Sequence, residues 1–150
     1  MGGPLCRHVI GPPVIASGCD VGDAHTVLLV EDDPGIASFV TRALAAKGFT
    51  VEWTSSGVAA LDRVAAGVVD ALILDLNLPD MDGVEVLRTL RERGHRFPVF
   101  VVTARTDPES REAARALGVA GYLRKPFPLV ELLEGIGQNL ENMARSRTDP

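Results

Sequence analysis

Ala71-Leu72-Ile73-Leu74 is an unbroken apolar run that stops on Asp75. A short run with no polar alternation suits a strand buried on both faces, and such a strand needs a layer of structure on each side of its sheet. Four more short strands are read at residues 27–30, 50–54, 98–102 and 120–123, of which 27–30 and 98–102 (after its proline) are likewise apolar, with the central one extending over 70–75. Helical spacing separates them. Ile36, Phe39, Val40, Ala43 and Leu44 mark an amphipathic helix that opens at Asp33-Pro34 and stops at Gly48. Val58, Leu61 and Val64 lie on one side of a second, capped by Ser55 or Ser56 and ended by Gly67. Val84, Leu87 and Leu90 mark a third that closes at Gly94; Ala113, Ala114 and Leu117 line a fourth from Pro108 to Gly118; Leu129, Leu132, Leu133, Ile136 and Leu140 form the stripe of a fifth. Short apolar strands alternating with helical crossovers imply an α/β fold built on a doubly wound parallel five-stranded sheet, and right-handed crossovers leave few topologies.

The alternation begins at Thr26. Residues 1–25, rich in Gly and Pro and without a period, read as a flexible N-terminal arm; the apolar stretch there is broken by Gly11-Pro12-Pro13, so it does not make a signal peptide. Residues 26–141 read as one globular domain and residues 142–150 as a polar tail. The chain is 46% hydrophobic but only 5% aromatic, so its core is aliphatic. A net charge of −5 argues against direct nucleic-acid binding. No apolar run is long enough to span a membrane. Cys6 and Cys19, both in the arm, form no disulfide framework, and a cytoplasmic location is expected. His8, His25 and His95 show no ligand spacing, and Trp53 reads as a packing residue.

Polar residues interrupt the pattern at four strand tips: Glu31-Asp32, Asp75, Thr103 and Lys125. A parallel sheet brings these tips to one edge, where open α/β sheets place their ligands. Three carboxylates in one pocket repel, and at least one is pushed toward protonation unless a cation intervenes. Oxygen-only ligands favour Mg²⁺, with Mn²⁺ possible, over zinc. Lys125 offsets further charge and Thr103 offers a hydroxyl donor. A carboxylate nucleophile, a divalent metal and fixed donors are the parts phosphoryl transfer needs.

Four segments carry a family resemblance: Val27-Leu28-Leu29-Val30-Glu31-Asp32-Asp33-Pro34, Leu74-Asp75-Leu76-Asn77-Leu78-Pro79-Asp80-Met81-Asp82-Gly83, Val101-Val102-Thr103-Ala104 and Gly121-Tyr122-Leu123-Arg124-Lys125-Pro126-Phe127. In this order and spacing they resemble the receiver domains of two-component response regulators, from about Thr26 to Leu140. The resemblance implies a flavodoxin-like (βα)5 fold with strand order 2-1-3-4-5. It implies that Asp75 is the phosphoacceptor, that Glu31 and Asp32 are the acidic pair with Asp32 the more direct Mg²⁺ ligand, and that Asn77 completes the metal shell through its backbone carbonyl. Thr103 and Lys125 then contact the phosphoryl group, Thr103 and Tyr122 form the switch, and the Lys125-Pro126 bond is cis. Glu31 stands where aspartate is also common. The segment between Asp75 and Thr103 is slightly short, which leaves the length of the third helix or its loop open. Asp33 reads as an N-cap; Asp80 and Asp82 read as loop formers with Gly83 supplying the turn.

The function so implied is a phosphorylation switch, not an enzyme beyond its own phosphotransfer and slow autodephosphorylation. Its partner is a sensor histidine kinase or phosphotransfer protein. Its responsive surface is the α4-β5-α5 face, which members of the family also use for homodimers. Two alternatives belong to other classes. A haloacid dehalogenase-type aspartyl phosphatase shares the strand-end aspartate and Mg²⁺, but wants a second acid where this chain has Asn77. A phosphorylation-independent receiver-like scaffold would not need the full set of Asp32, Asp75, Thr103 and Lys125.

Overall fold

A computed structural model describes the backbone of residues 25–148 and the side chains as far as Glu141. The expected arm lies outside the described residues except for His25, and so do the side chains of the expected tail. Ten elements alternate: β1 (Thr26–Val30), α1 (Pro34–Ala46), β2 (Thr50–Thr54), α2 (Gly57–Ala66), β3 (Ala71–Leu74), α3 (Gly83–Glu92), β4 (Val99–Thr103), α4 (Pro108–Ala116), β5 (Gly121–Arg124) and α5 (Leu129–Thr148). The strands pair in parallel in the order β2-β1-β3-β4-β5, as the resemblance implies.

The continuous apolar character of the inner strands follows from two cores, one on each face of the sheet. Val27, Leu29, Ala71, Ile73, Phe100 and Val102 pack beneath α1 and α5, against Ala37, Val40, Leu44, Leu132, Ile136 and Leu140. Their alternates Leu28, Val30, Leu72, Leu74, Val99 and Val101 pack against α2, α3 and α4 through Ala60, Val64, Leu87, Leu90 and Ala114. On the first of these faces Phe100 leaves no room beside two glycines. A Cβ at Gly121 or at Gly135 would each lie 2.9 Å from its ring.

Caps written into the sequence set the helix starts. Asp33 accepts hydrogen bonds from the N–H groups of Gly35 (2.8 Å) and Ile36 (3.2 Å), with Pro34 opening α1. Asp82 and Asp107 do the same for α3 and α4 through the N–H groups of Val84 and Ser110. Gly48, Gly94 and Gly118 follow α1, α3 and α4 with φ between 78° and 94°, where a side chain is strained.

Two stripe assignments need correction. Phe39 is 55% exposed and Val58 53% exposed, while Ala37 and Ala60 are buried in their place. Both helices approach the sheet on an alanine, because small residues let the backbone come close, and helical spacing alone does not separate that face from the next one round. Trp53 is also a surface residue, 47% exposed on the edge strand β2. The short segment between Asp75 and Thr103 holds a ten-residue α3.

Candidate functional site

The tips of β1, β3, β4 and β5 meet at the C-terminal edge of the sheet. Ladder hydrogen bonds continue one residue past the strands: Glu31 N–H donates to the Thr54 carbonyl at 3.0 Å and Asp75 N–H to the Val30 carbonyl at 2.9 Å. The backbone therefore fixes both acids before any side-chain contact is made. Across the sheet, Lys125 N–H donates to the Thr103 carbonyl at 2.9 Å, which holds the β5 end against β4. The Lys125-Pro126 peptide is cis.

Lys125 Nζ donates to Glu31 Oε2 and to Asp75 Oδ2, both at 3.0 Å. Glu31 is fully buried and Asp75 is 2% exposed. Burial pushes the Glu31 carboxyl up from 4.5 to about 7; the Lys125 bond opposes the rise and the Asp75 charge adds to it. Burial works against the charge on Lys125, yet its bonds to Asp75 and Glu31 hold its pKa above the ordinary lysine value. Asp32 is exposed. One carboxylate oxygen from each of Glu31, Asp32 and Asp75 lies within 4.8 Å of the others.

Whether a divalent cation fits is answered by one atom. Glu31 Oε2 accepts from Lys125 and from Asp33 N–H (3.1 Å), whereas Glu31 Oε1 is buried with no hydrogen-bond partner among the described residues. A buried acceptor without a donor is costly, and its usual explanation is a proton, a water or an ion. With two further carboxylates in reach, an oxygen-seeking cation such as Mg²⁺ fits this donor set.

The loop after Asp75 is built tightly. Asn77 N–H donates to Asp75 Oδ1 at 3.0 Å, Gly83 N–H donates to the Leu76 carbonyl at 2.9 Å, and Asn77 and Asp82 form an isolated antiparallel bridge. Gly83 has no room for a side chain, since a Cβ would lie 2.5 Å from Leu76 Cα and 2.8 Å from the Asp75 carbonyl oxygen. Thr103 is fully buried, and its hydroxyl accepts from Arg105 N–H at 3.1 Å. Tyr122 packs partly buried against the α2–α4 core, its buried hydroxyl without a hydrogen-bond partner among the described residues, and the Arg111 guanidinium lies 5.7 Å from its ring centroid. Burial, then the Asp107 charge, raises the Tyr122 phenol above its ordinary value. Glu31, Asp32, Asp75 and Lys125 are thus brought together. Thr103 and Asn77 flank them, and Tyr122 sits on the neighbouring strand.

Three residues of this region carry more than the sequence suggested. Asp80, read there as a loop former, accepts from the N–H groups of Gly57 (2.8 Å) and Val58 (3.0 Å) and from Ser56 Oγ (2.8 Å), tying the Asp75 loop to the start of α2. These bonds pull its carboxyl down to about 2. Trp53 donates its indole N–H to the Glu31 carbonyl at 2.7 Å. Arg105 binds the side chain of Asn77 through Nε at 2.8 Å. No pattern of spacing marks these partners, which are 22 to 28 residues apart in the chain.

The family model of the response regulator receiver domain matches residues 27–137. The response regulator MprA of Mycobacterium avium (strain 104) is 43% identical over 107 residues, covering 71% of this chain and 47% of that protein. The chain thus spans about half the length of the curated relatives it matches. Among solved structures, a sensor protein from Polaromonas sp. JS666 matches with a TM-score of 0.71 at 34% identity, over 79% of this chain and 98% of that one. A CheY-like response regulator receiver domain protein from Methanospirillum hungatei JF-1 shares the fold with a TM-score of 0.78 at 24% identity, over 83% and 99%. With the strand order, the acid cluster and a match over most of its length in agreement, the chain belongs to the response regulator receiver domain family.

Proposed function

We propose that Asp75 is the phosphoacceptor of a cytoplasmic two-component switch, charged by a sensor histidine kinase or phosphotransfer protein in a Mg²⁺-dependent reaction. The observation that carries this reading is the pairing of a nearly buried Asp75 with Lys125 at 3.0 Å, beside a second buried acid, Glu31, whose Oε1 has no donor among the described residues. Asp75 attacks the phosphorus of a phosphohistidine in line. The P–N bond breaks as a P–O bond to the carboxylate forms, and the imidazole leaves. Glu31, Asp32, Asp75 and the Asn77 carbonyl would hold the cation. Bound there, it supplies positive charge to the transferring phosphoryl oxygens. Lys125 stays within reach of the same oxygens, and the Thr103 hydroxyl, which accepts from Arg105 N–H, has its own hydrogen to donate to one of them when it moves toward the site.

The acyl phosphate adds about −1.5 to −2 charge if it behaves like other phosphorylated side chains. Contacts made only with that group shift the population between two states of the α4-β5-α5 face, with Thr103 and Tyr122 as the moving parts. A homodimer through that face fits the same reading. The deciding measurement is Mg²⁺-dependent labelling by acetyl phosphate, followed by mass. The wild-type chain gains one phosphoryl group and D75A gains none. Undiminished labelling of D75A overturns the assignment.

A further inference from the structure

Arg105 divides its side chain between two segments. Nε donates to Asn77 Oδ1 (2.8 Å), Nη2 to the Leu76 carbonyl and Asp82 Oδ2 (both 3.1 Å), and Nη1 to Ser110 Oγ (3.0 Å) and Asp82 Oδ1 (3.3 Å). Leu76, Asn77 and Asp82 belong to the loop that leaves Asp75; Ser110 is a buried residue in the first turn of α4. Through its backbone the same residue donates to Thr103 Oγ1. The next residue of α4, Arg111, is the one that lies over Tyr122.

We propose that Arg105 is a strap that holds the first turn of α4 against the Asp75 loop, and that its release carries the signal from Asp75 to α4. The inference rests on Asp75 being the phosphoacceptor. Two changes at that residue act on the strap. A Thr103 hydroxyl drawn to a phosphoryl oxygen abandons the Arg105 N–H. A new anion on Asp75 competes with Ser110 for the guanidinium, because charge-assisted bonds to phosphate are stronger than a bond to a neutral hydroxyl. With Ser110 released, that turn keeps its Asp107 cap but loses its tie to the loop, and Arg111 is free to move over Tyr122.

The test is amide exchange across residues 107–117 of the full chain, with and without Mg²⁺ and beryllium fluoride as a phosphoryl mimic on Asp75. In the wild type the mimic speeds exchange of α4. In R105Q and in S110A, exchange without the mimic is already raised about fivefold, the effect of losing one hydrogen bond that holds a local structure closed, and the mimic adds little. S110A, which cuts only the helix end of the strap, keeps wild-type labelling by acetyl phosphate. A helix that is merely weakened exchanges faster in both states and keeps the full response to the mimic, and that result overturns the proposal. So does wild-type exchange in both variants without the mimic. Should R105Q not fold, S110A carries the test alone. If neither acetyl phosphate nor the mimic modifies the wild type, the phosphoacceptor reading fails, while the two variants still report whether Arg105 holds α4.

Discussion

Lys125 Nζ and Glu31 Oε2 stand 3.0 Å apart, joining β5 to the end of β1 across 94 residues of sequence. The Glu31 carboxylate is fully buried and the Lys125 side chain is 17% exposed, which makes the pair the electrostatic centre of the site. Removing one member of a buried pair leaves the other uncompensated. K125M is therefore expected to lose roughly 3 kcal/mol of stability at pH 8 without metal, the lower end of such losses because Glu31 can take up a proton. Urea unfolding with and without Mg²⁺ checks this, and the metal should restore a large part of the loss.

Glu31 also gives the metal-free protein an inverted pH dependence. Its carboxyl titrates at 4.5 ordinarily and at about 7 in the fold. Between those values the folded state binds more protons than the unfolded one, so stability falls as pH rises, by up to about 1.4 kcal/mol per unit. The urea midpoint in EDTA should drop from pH 5 to pH 7.5. E31Q should flatten that drop, and saturating Mg²⁺, which needs the ionised carboxylate, should remove it.

Trp53 is the single tryptophan, and its indole N–H is bonded to the Glu31 carbonyl. A cation drawn to the Glu31 side chain moves that backbone, so Mg²⁺ titration should change Trp53 emission with a saturable curve. D32A should shift the midpoint to higher Mg²⁺ by at least about tenfold, the scale of losing a charged ligand or its support. An emission unchanged by Mg²⁺ counts against the coupling.

Asp80 predicts an acid limb of the opposite sign. Its carboxyl is held at about 2 by donors at the start of α2, against 3.8 ordinarily. The stabilisation is complete above 3.8 and is lost as pH falls through 2. D80N should lower the urea midpoint at neutral pH, flatten the curve in that acid window, and speed amide exchange at residues 57–60.

Two glycines should differ although both are crowded. At Gly83 a Cβ meets the backbone of Leu76 and Asp75, which is fixed by the sheet; at Gly57 the nearest atom is Met81 Cγ, at 2.5 Å, on a side chain with freedom to turn. G83A is expected to cost roughly 2–3 kcal/mol, as overpacking does, and to depress labelling of Asp75. G57A should cost less and leave labelling intact. Thermal melts and the acetyl phosphate assay separate them.

The fold was legible because both sheet faces are covered. Runs such as Ala71–Leu74 and residues 99–102 have no polar member, and a helix follows every strand. The polar tips Glu31, Asp75, Thr103 and Lys125 stood out against that background. Phe39 and Val58 misled because helical period fixes a face only to within a residue or so, and the sheet took the alanine side. Arg105, Asp80 and Trp53 stayed hidden for a different reason. Each acts through backbone groups or loop side chains brought near by the crossover geometry, and single letters in a loop carry no period that would betray them.

Phe100 fits against both Gly121 and Gly135 along the Cδ2–Cε2 edge of its ring. Residues on β4, β5 and α5 therefore share one volume, and a methyl gained at either glycine has to be returned by the ring. Variation at these three positions is bound to travel as a set. A descendant of this chain with a smaller residue at position 100 is where side chains at 121 or 135 should first be sought.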